Sequence, residues 1–484
     1  MKTHVFPDKK MVFRQQVALA VAAAIAVAVL GWEKSILIAC GVPALMVLVF
    51  GPSAFIAILY CVLLLFSHQY YSVATWSFGG IVWHPREILL FLLMGHVAYL
   101  VLLRKVHVGV HTVHIGMLSL AVYFILAMFT GIMRRVDTSS LIGEARFPFF
   151  ILSYFLLVAL IRDRRQARRM LFVVLSVTIL VATVSIAYFL YASLTGNLVQ
   201  LHQTPWGEFM LYPLGKFTFQ MVRPNGHALF EMFLVIAVSL ALARNVRFRF
   251  RVFWTAIACI LGAAIFITFM RTAYASAAVS LAVLTLLCLP GRRLPYVMVS
   301  MVGIGIMAVL AFTSFRLLSG AMLTGYEVEA SLRARFIEMA GALNAFMQHP
   351  LFGVGLGGGF EALDMAQSGE QLAAGVREYT TVHNIWMYYL YKGGLVGLLF
   401  VITAYSLIVV SGQALVLAEA EPKSRALARG VLAAFVGQLV AGLAMPRFLY
   451  PQGYVVIALV ACFFYANRNH AKVSPPRIPP NAGE

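Results

Sequence analysis

Charged residues are scarce in this sequence. Only 11% of its 484 residues are charged, whereas 62% are hydrophobic. Ordinary globular domains contain about 25% charged residues. Together with a mean hydropathy of +0.88, this deficit excludes a soluble globular protein and predicts a chain that lies largely in a lipid bilayer.

Aspartate and cysteine are also rare. The aspartates are isolated from one another, and the sequence contains no GK[ST], HExxH or paired-aspartate motif. The cysteines all fall in apolar runs without a CxxC pair, which indicates neither a disulfide framework nor a zinc site. Metal-dependent chemistry and nucleotide hydrolysis therefore lack their usual residues, and we expect no metal and no cofactor. The aspartates are Asp8, Asp137, Asp163 and Asp364, and the cysteines are Cys40, Cys61, Cys259, Cys288 and Cys462.

Basic residues outnumber acidic ones, with 37 Lys and Arg against 18 Asp and Glu. In a polytopic membrane protein, such an excess normally lies in short cytoplasmic loops, where it sets the topology. Two basic clusters follow this pattern, at 162–169 and 244–251. We therefore expect both termini in the cytoplasm and no nucleic-acid partner.

Apolar runs recur along the chain, and about fourteen of them are long enough to be candidate spanning segments. They predict an all-α polytopic membrane protein with about 12–14 transmembrane helices. The runs lie at 16–32, 35–50, 53–67, 88–103, 113–131, 147–161, 170–193, 225–243, 252–270, 273–289, 295–314, 384–410, 428–445 and 451–467.

One outer segment, at about 315–382, is large enough to fold on the membrane. It divides the chain into transmembrane helices at 1–314, a periplasmic helical loop at 315–383, further transmembrane helices at 384–468 and a disordered cytoplasmic tail at 469–484. Apolar residues at helical spacing predict an amphipathic helix in this loop. They are Leu332, Phe336, Ala340, Leu343 and Met347, with Arg333, Arg335 and Glu338 between them.

His349 and Pro350 are predicted to end this helix, and the segment GVGLGG follows them. The segment contains the GxGxxG pattern of dinucleotide sites. It lies after a helix, however, whereas a dinucleotide site requires the pattern between a strand and a helix. We therefore interpret it as a flexible turn.

The positive-inside rule explains basic residues in cytoplasmic loops, but it does not explain three arginines on the outer side. Arg271 follows an apolar run, Arg223 precedes a Pro-Asn-Gly turn, and Arg335 lies in the amphipathic segment. Each could be a snorkelling or capping side chain. Each could also bind phosphate, since the planar guanidinium matches phosphate oxygens. If they converge, they form a site for one anion.

His383 lies where an apolar run begins on the outer side. A histidine at a helix start is often a cap or an interface residue. Beside a phosphate site, however, a neutral imidazole could accept the proton of an attacking hydroxyl. Gly394 and Gly397, farther along the same run, would permit close helix packing.

These residues stand in an order that resembles a known family. His383-Asn384, nine residues and Gly394-Leu395-Val396-Gly397 resemble the H[NSQ]x9GxxG signature of bacterial O-antigen ligases. FMRTAYAS resembles the S/TRxA helix start of that superfamily, and RFIEMAGALNAFMQHPLFGVGLG resembles its R-x3-W-x2-A...P-x-x-G-x-G segment. Together with RPNGHALFEMF, these matches cover roughly residues 223–400.

The resemblance implies a metal-independent, inverting glycosyltransferase of the bacterial inner membrane with its active site on the periplasmic side. Its donor would be an undecaprenyl-diphosphate-linked glycan, its acceptor another glycan or lipid A-core, and its surroundings membrane lipid. By position, His383 matches the proposed general base, and Arg223, Arg271 and Arg335 match arginines thought to hold the donor diphosphate. The supporting positions are Asn384, Arg333, Glu338, Gly394 and Gly397.

Two alternatives stay open at this point. The H[NSQ]x9GxxG match favours a ligase, whereas the number of spans favours a Wzy-type polymerase. A polysaccharide transporter or lipid-linked-glycan flippase would also suit many spans. A transporter predicts ionisable residues near the middle of the bilayer and interrupted helices there. Lys392 and Glu231 come nearest to meeting that expectation.

Overall fold

The computed structural model describes most of the chain from residue 53 onwards. The described residues are 53–66, 76–78, 81–83, 85–103, 111–161, 163–195, 202–204, 207–214, 217–224, 226–243, 246–268, 270–288, 325–363, 376–443 and 450–471. Helices dominate this part, which confirms an all-α polytopic membrane protein. Within it, six helical segments are long and apolar enough to cross a bilayer. They are Thr112–Met133, Thr138–Leu160, Arg164–Thr195, Phe248–Phe266, Ile385–Ala418 and Pro422–Ala441.

The described helices follow the predicted apolar runs. The runs at 16–32, 35–50 and 295–314 lie outside the described residues. The helices are α1 (Ser53–Phe66), α2 (Pro85–Leu102), α3 (Thr112–Met133), α4 (Thr138–Ala145), α5 (Leu152–Leu160), α6 (Arg164–Thr195), α7 (Ala228–Ala241), α8 (Phe248–Phe266), α9 (Arg271–Cys288), α10 (Gly325–Gln348), α11 (Ile385–Ala418), α12 (Pro422–Ala441) and α13 (Pro451–Ala471). A 3-10 turn at Pro148–Ile151 joins α4 to α5.

Short antiparallel strands lie in the connections between helices. They pair the backbone polar groups of segments that form no helix. The strands are β1 (Trp76–Phe78), β2 (Ile81–Trp83), β3 (His202–Thr204), β4 (Gly207–Leu214), β5 (Phe217–Pro224), β6 (Phe360–Leu363) and β7 (Val376–Tyr379). They form the sheets β1-β2, β3-β4-β5 and β6-β7. β5 leads into α7, and β7 leads towards α11.

Helix α11 packs closely against α3. Ser119 Oγ donates a hydrogen bond to the Phe400 carbonyl at 2.9 Å. A Cβ added to Gly397 would lie 2.9 Å from the ring of Tyr123. Glycine at this position therefore lets the tyrosine ring lie directly against the α11 backbone, as the expected close packing requires.

Helices α7 and α12 run antiparallel. Near one end, Ser239 Oγ donates to the Ala426 carbonyl at 2.6 Å. Near the other end, Gln438 Nε2 donates to Glu231 Oε2 at 3.1 Å. The start of α7 therefore lies beside the end of α12.

Helix α10 forms where the apolar spacing predicted it and ends at Gln348, directly before His349 and Pro350. Apolar side chains of the predicted stripe face outward: Phe336 is 67% exposed and Met347 is 66% exposed. The rest of the helix packs against the bundle through small residues such as Ala342 and larger ones such as Ile337. An added Cβ at Gly341 would lie 2.7 Å from the Phe360 ring of β6, so α10 and β6 meet at a glycine.

Candidate active site

His383 and Glu338 are in contact at the start of α11. His383 Nδ1 lies 2.7 Å from Glu338 Oε2, and the same oxygen accepts the backbone N–H of His383 at 3.3 Å. The imidazole is 54% exposed, whereas the Glu338 side chain is only 11% exposed. A carboxylate that binds both the ring and the backbone orients the imidazole and leaves Nε2 available to another partner.

Asn384 begins helix α11 as its N-cap. Its Oδ1 accepts the backbone N–H groups of Trp386 at 2.9 Å and Met387 at 3.0 Å. These donors have no partner inside the helix, so the asparagine satisfies them. His383 therefore lies immediately before a capped helix end, which defines the position of its backbone.

Arg223 lies near the end of β5 and contacts the segment that precedes α9. Its Nε donates to the Thr268 carbonyl at 3.3 Å. The neighbouring Val222 N–H donates to the Ile267 carbonyl at 3.2 Å. These two bonds join the end of β5 to the start of α9, where Arg271 is the first residue.

Arg335 is half-buried and lies on α10, three residues before Glu338. Side chains at this spacing are neighbours on a helix surface. Arg335 and the carboxylate that holds His383 therefore share one face of α10. The side chains of Arg271 and Arg333 lie outside the described part of the structure, although both residues belong to described helices.

His383, Glu338 and Arg223 lie at one end of the helix bundle. The Ile385 N–H donates to the Gly442 carbonyl at 2.9 Å, which joins the start of α11 to the residue after α12. Since α7 starts beside the end of α12, and β5 leads directly into α7, Arg223 lies at the same end as His383. We call this the His383 end.

Gly394 interrupts helix α11. Its φ of 64° and ψ of −164° are not helical, and an added Cβ would lie 2.3 Å from the Leu351 backbone. After the interruption, the Leu395 N–H donates to the Pro350 carbonyl at 2.8 Å, and the Val396 N–H donates to the Leu351 carbonyl at 3.2 Å. The segment that follows α10 thus supplies acceptors that the interrupted helix lacks.

The glycine-rich segment completes this junction and is a docked loop, not the flexible turn that we predicted. The Val354 N–H donates to the Tyr391 carbonyl at 2.8 Å, and the Gly355 N–H donates to the Lys392 carbonyl at 3.0 Å. A Cβ on any of three of its glycines would come within 2.7 Å of a neighbouring backbone. These glycines, all with positive φ, are Gly353 (68°), Gly355 (84°) and Gly357 (77°).

A buried ion pair lies beside the loop. Lys392 is fully buried, and its Nζ lies 2.5 Å from Glu144 Oε2 and 2.7 Å from the Gly358 carbonyl. Glu144 also accepts the Tyr388 hydroxyl at 2.5 Å and the Gly357 N–H at 2.5 Å. A lysine in an apolar run indicates that an acidic partner lies nearby in the fold. No pattern in the sequence around Lys392 identified Glu144 as that partner.

Glu231, in the predicted span 225–243, is also buried. One of its contacts is the hydrogen bond from Gln438. Among the residues that the structure describes, no group of three His, Cys, Asp or Glu side chains is arranged to hold a metal ion.

Comparison with known proteins finds a family match for part of the chain. Residues 255–402 match the Wzy_C family model, described as O-antigen ligase. The match includes His383, Glu338, Arg335 and both signature glycines, and it excludes Arg223. No curated protein matches the chain. Residues 255–402 of this membrane-spanning chain thus carry an O-antigen ligase domain of the O-antigen ligase/polymerase superfamily.

Proposed function

We propose that this protein transfers a glycan from an undecaprenyl-diphosphate donor to an acceptor hydroxyl at the periplasmic face of a bacterial inner membrane. The observation that carries the proposal is the contact between His383 and Glu338, at an exposed helix end within the matched domain. The partners are a lipid-linked glycan, an acceptor glycan or lipid A-core, and membrane lipid.

His383 is the general base in this proposal. In a neutral imidazole that donates its Nδ1–H to Glu338, Nε2 carries the lone pair. Nε2 takes the proton of the acceptor hydroxyl as the hydroxyl oxygen bonds to the anomeric carbon. Glu338 orients the ring and stabilises the imidazolium that forms.

Arg223, Arg271 and Arg335 bind the donor diphosphate in this proposal. As the bond between the anomeric carbon and the phosphate oxygen breaks, its electron pair stays on the departing oxygen, where guanidinium groups stabilise the charge. Attack from the face opposite the leaving group inverts the anomeric configuration. The three arginines supply the positive charge that stabilises the departing diphosphate, so the proposal requires no metal.

Glycan analysis in cells tests the proposal. In a strain that lacks the gene, the wild-type protein should restore glycan transfer and His383→Ala should not, at equal membrane abundance. His349→Ala is a matched control, because this histidine lies nearby on the segment after α10. Normal transfer by His383→Ala would refute the proposal.

The same strain separates ligase from polymerase. Polymer that accumulates on its lipid carrier indicates a missing ligase. Loss of long polymer with single repeat units remaining indicates a missing polymerase.

A transporter or flippase is the second candidate, and the interruption of α11 beside the buried Lys392 favours it. Against it, the backbone groups at the break are taken by the loop after α10, as the Leu395, Val354 and Gly355 bonds show. They are therefore not available to coordinate a substrate. Movement of a labelled lipid-linked glycan across proteoliposomes, without glycan transfer, would favour the transporter.

A further inference from the structure

A cavity of about 280 Å³ opens at the His383 end, between α4, α11 and the start of α13. Its floor contains the buried rings of Tyr388 and Tyr454, and its rim contains the exposed Thr380 and Thr381. This volume is close to the lower limit of small-molecule pockets, about 300 Å³. The cavity therefore has room for one small ring and not for a long oligosaccharide.

The lining suits a sugar. Aromatic rings of Phe147, Tyr388, Tyr450 and Tyr454 provide apolar faces on which the C–H groups of a pyranose can pack. Hydroxyl groups of Ser140 and of the two rim threonines provide donors and acceptors around them. An uncharged sugar also combines apolar C–H faces with hydroxyl groups, so the lining of the cavity is complementary to it.

The charge of the cavity argues against a phosphate ligand. None of the described residues that line it is lysine or arginine. Its carboxylate, Glu144, is neutralised by Lys392 behind the wall. Among the described residues, no cation at the surface of the cavity would face a diphosphate placed here.

The position of the cavity relative to His383 points to the acceptor. Thr381 lies two residues before His383, and the intervening Val382 is buried, so this short segment connects the rim to the imidazole. The cavity adjoins α4 and α13, whereas Arg223 lies with α7 and the start of α9. Acceptor and diphosphate would thus approach His383 beside different helices.

We propose that this cavity binds one uncharged sugar ring of the acceptor and so presents the adjoining hydroxyl to His383. This inference rests on the proposed function for the identity of the acceptor. Binding of the ring itself is a property of the cavity and can be measured without turnover.

Saturation-transfer NMR on the full chain in sugar-free phospholipid nanodiscs tests the inference. The probes are the methyl glycosides of glucose, galactose, mannose and N-acetylglucosamine. At least one should receive saturation from the wild-type protein. Thr381→Val and Tyr450→Leu should each weaken its binding roughly threefold to tenfold, since each removes one polar or stacking contact. Thr138→Val, on the exposed start of α4, is the matched control and should bind normally.

Two further measurements distinguish a failure of the cavity inference from a failure of the proposed mechanism. His383→Ala should bind the glycoside normally, and undecaprenyl diphosphate should not displace it. Absence of saturation for every glycoside, unchanged binding in both cavity variants, or displacement by undecaprenyl diphosphate would each overturn the inference. Normal glycan transfer by His383→Ala in cells would instead refute the proposed mechanism and leave the binding result standing.

Discussion

The ammonium group of Lys392 and the carboxylate of Glu144 form an ion pair that is almost completely removed from solvent, with side chains 0% and 9% exposed. The pair joins α11 to α4, and its neighbours Gly357 and Gly358 join both to the glycine-rich loop. The loop in turn binds the backbone of α11 at the Gly394 interruption. One ion pair thus lies at the junction of the elements that surround the candidate site.

Removal of one partner should be strongly destabilising. Lys392→Met leaves the Glu144 carboxylate buried without its cation, a change that costs about 3–5 kcal/mol in comparable buried pairs. Thermal unfolding of the detergent-purified protein should show a clearly lower melting temperature. The double variant Lys392→Met, Glu144→Leu should recover part of the loss, because no charge is left uncompensated. A melting temperature unchanged in Lys392→Met would contradict this account.

Replacement of Gly394 should also destabilise the protein. Gly394→Ala forces a side chain into a backbone region that almost only glycine adopts, at a cost of about 1–3 kcal/mol. Its Cβ would also overlap the Leu351 backbone. Gly262→Ala in α8 is the matched control, because nothing lies within 4 Å of its added Cβ. Equal melting temperatures for the two variants would show that the junction does not require glycine.

Loss of Glu338 should lower activity without preventing folding. Glu338→Gln keeps the side-chain shape but removes the charge that stabilises the imidazolium, and we expect a loss of roughly tenfold. His383→Ala, which removes the base itself, should lose about 10²–10⁴-fold. Transfer rates in membranes measure both variants, and Glu361→Gln in β6 serves as an exposed control. A Glu338→Gln variant as active as wild type would mean that the contact has no role in transfer.

The orientation in the membrane can be measured by cysteine labelling. Thr381→Cys should react with a membrane-impermeant maleimide once the outer membrane is permeabilised, because this exposed position lies at the His383 end. Arg165→Cys, at the exposed start of α6, should react only after the inner membrane is also opened. The unsubstituted protein gives the background of the native cysteines. The reverse pattern would place the His383 end in the cytoplasm.

Chelation tests the arginine-based diphosphate site. If guanidinium groups supply the positive charge, transfer by washed membranes should persist in EDTA. Activity that disappears in EDTA and returns with Mg²⁺ or Mn²⁺ would show that a metal ion supplies that charge.

Much of the helical architecture could be predicted from the sequence. Hydropathy and length are properties of each segment alone, so the helices around Thr112–Met133 and Ile385–Ala418 followed from their apolar runs. The same holds for α10, whose spacing is local and whose end is marked by Pro350. The face of α10 that packs against β6 was less predictable. That contact depends on Gly341, whose small size lets the strand approach.

The partners of individual side chains were not predictable in this way. His383 stood out by its place in an ordered motif, but only the folded chain brings Glu338, 45 positions away, to its ring. Glu144 lies 248 positions from Lys392, and no local pattern connects them. The glycine-rich segment suggested a flexible turn. Its glycines instead allow close backbone contacts, which form only when the loop packs against α11 and α3.

By itself, the sequence determined that this is a helical membrane protein with ordered motifs that resemble those of O-antigen ligases, since apolar length and residue order can be read along one segment at a time. The tertiary structure alone decided which carboxylate holds His383, how the break in α11 is completed and where a sugar-sized cavity opens. Those features depend on distances between residues far apart in the chain, which segment-by-segment patterns do not contain.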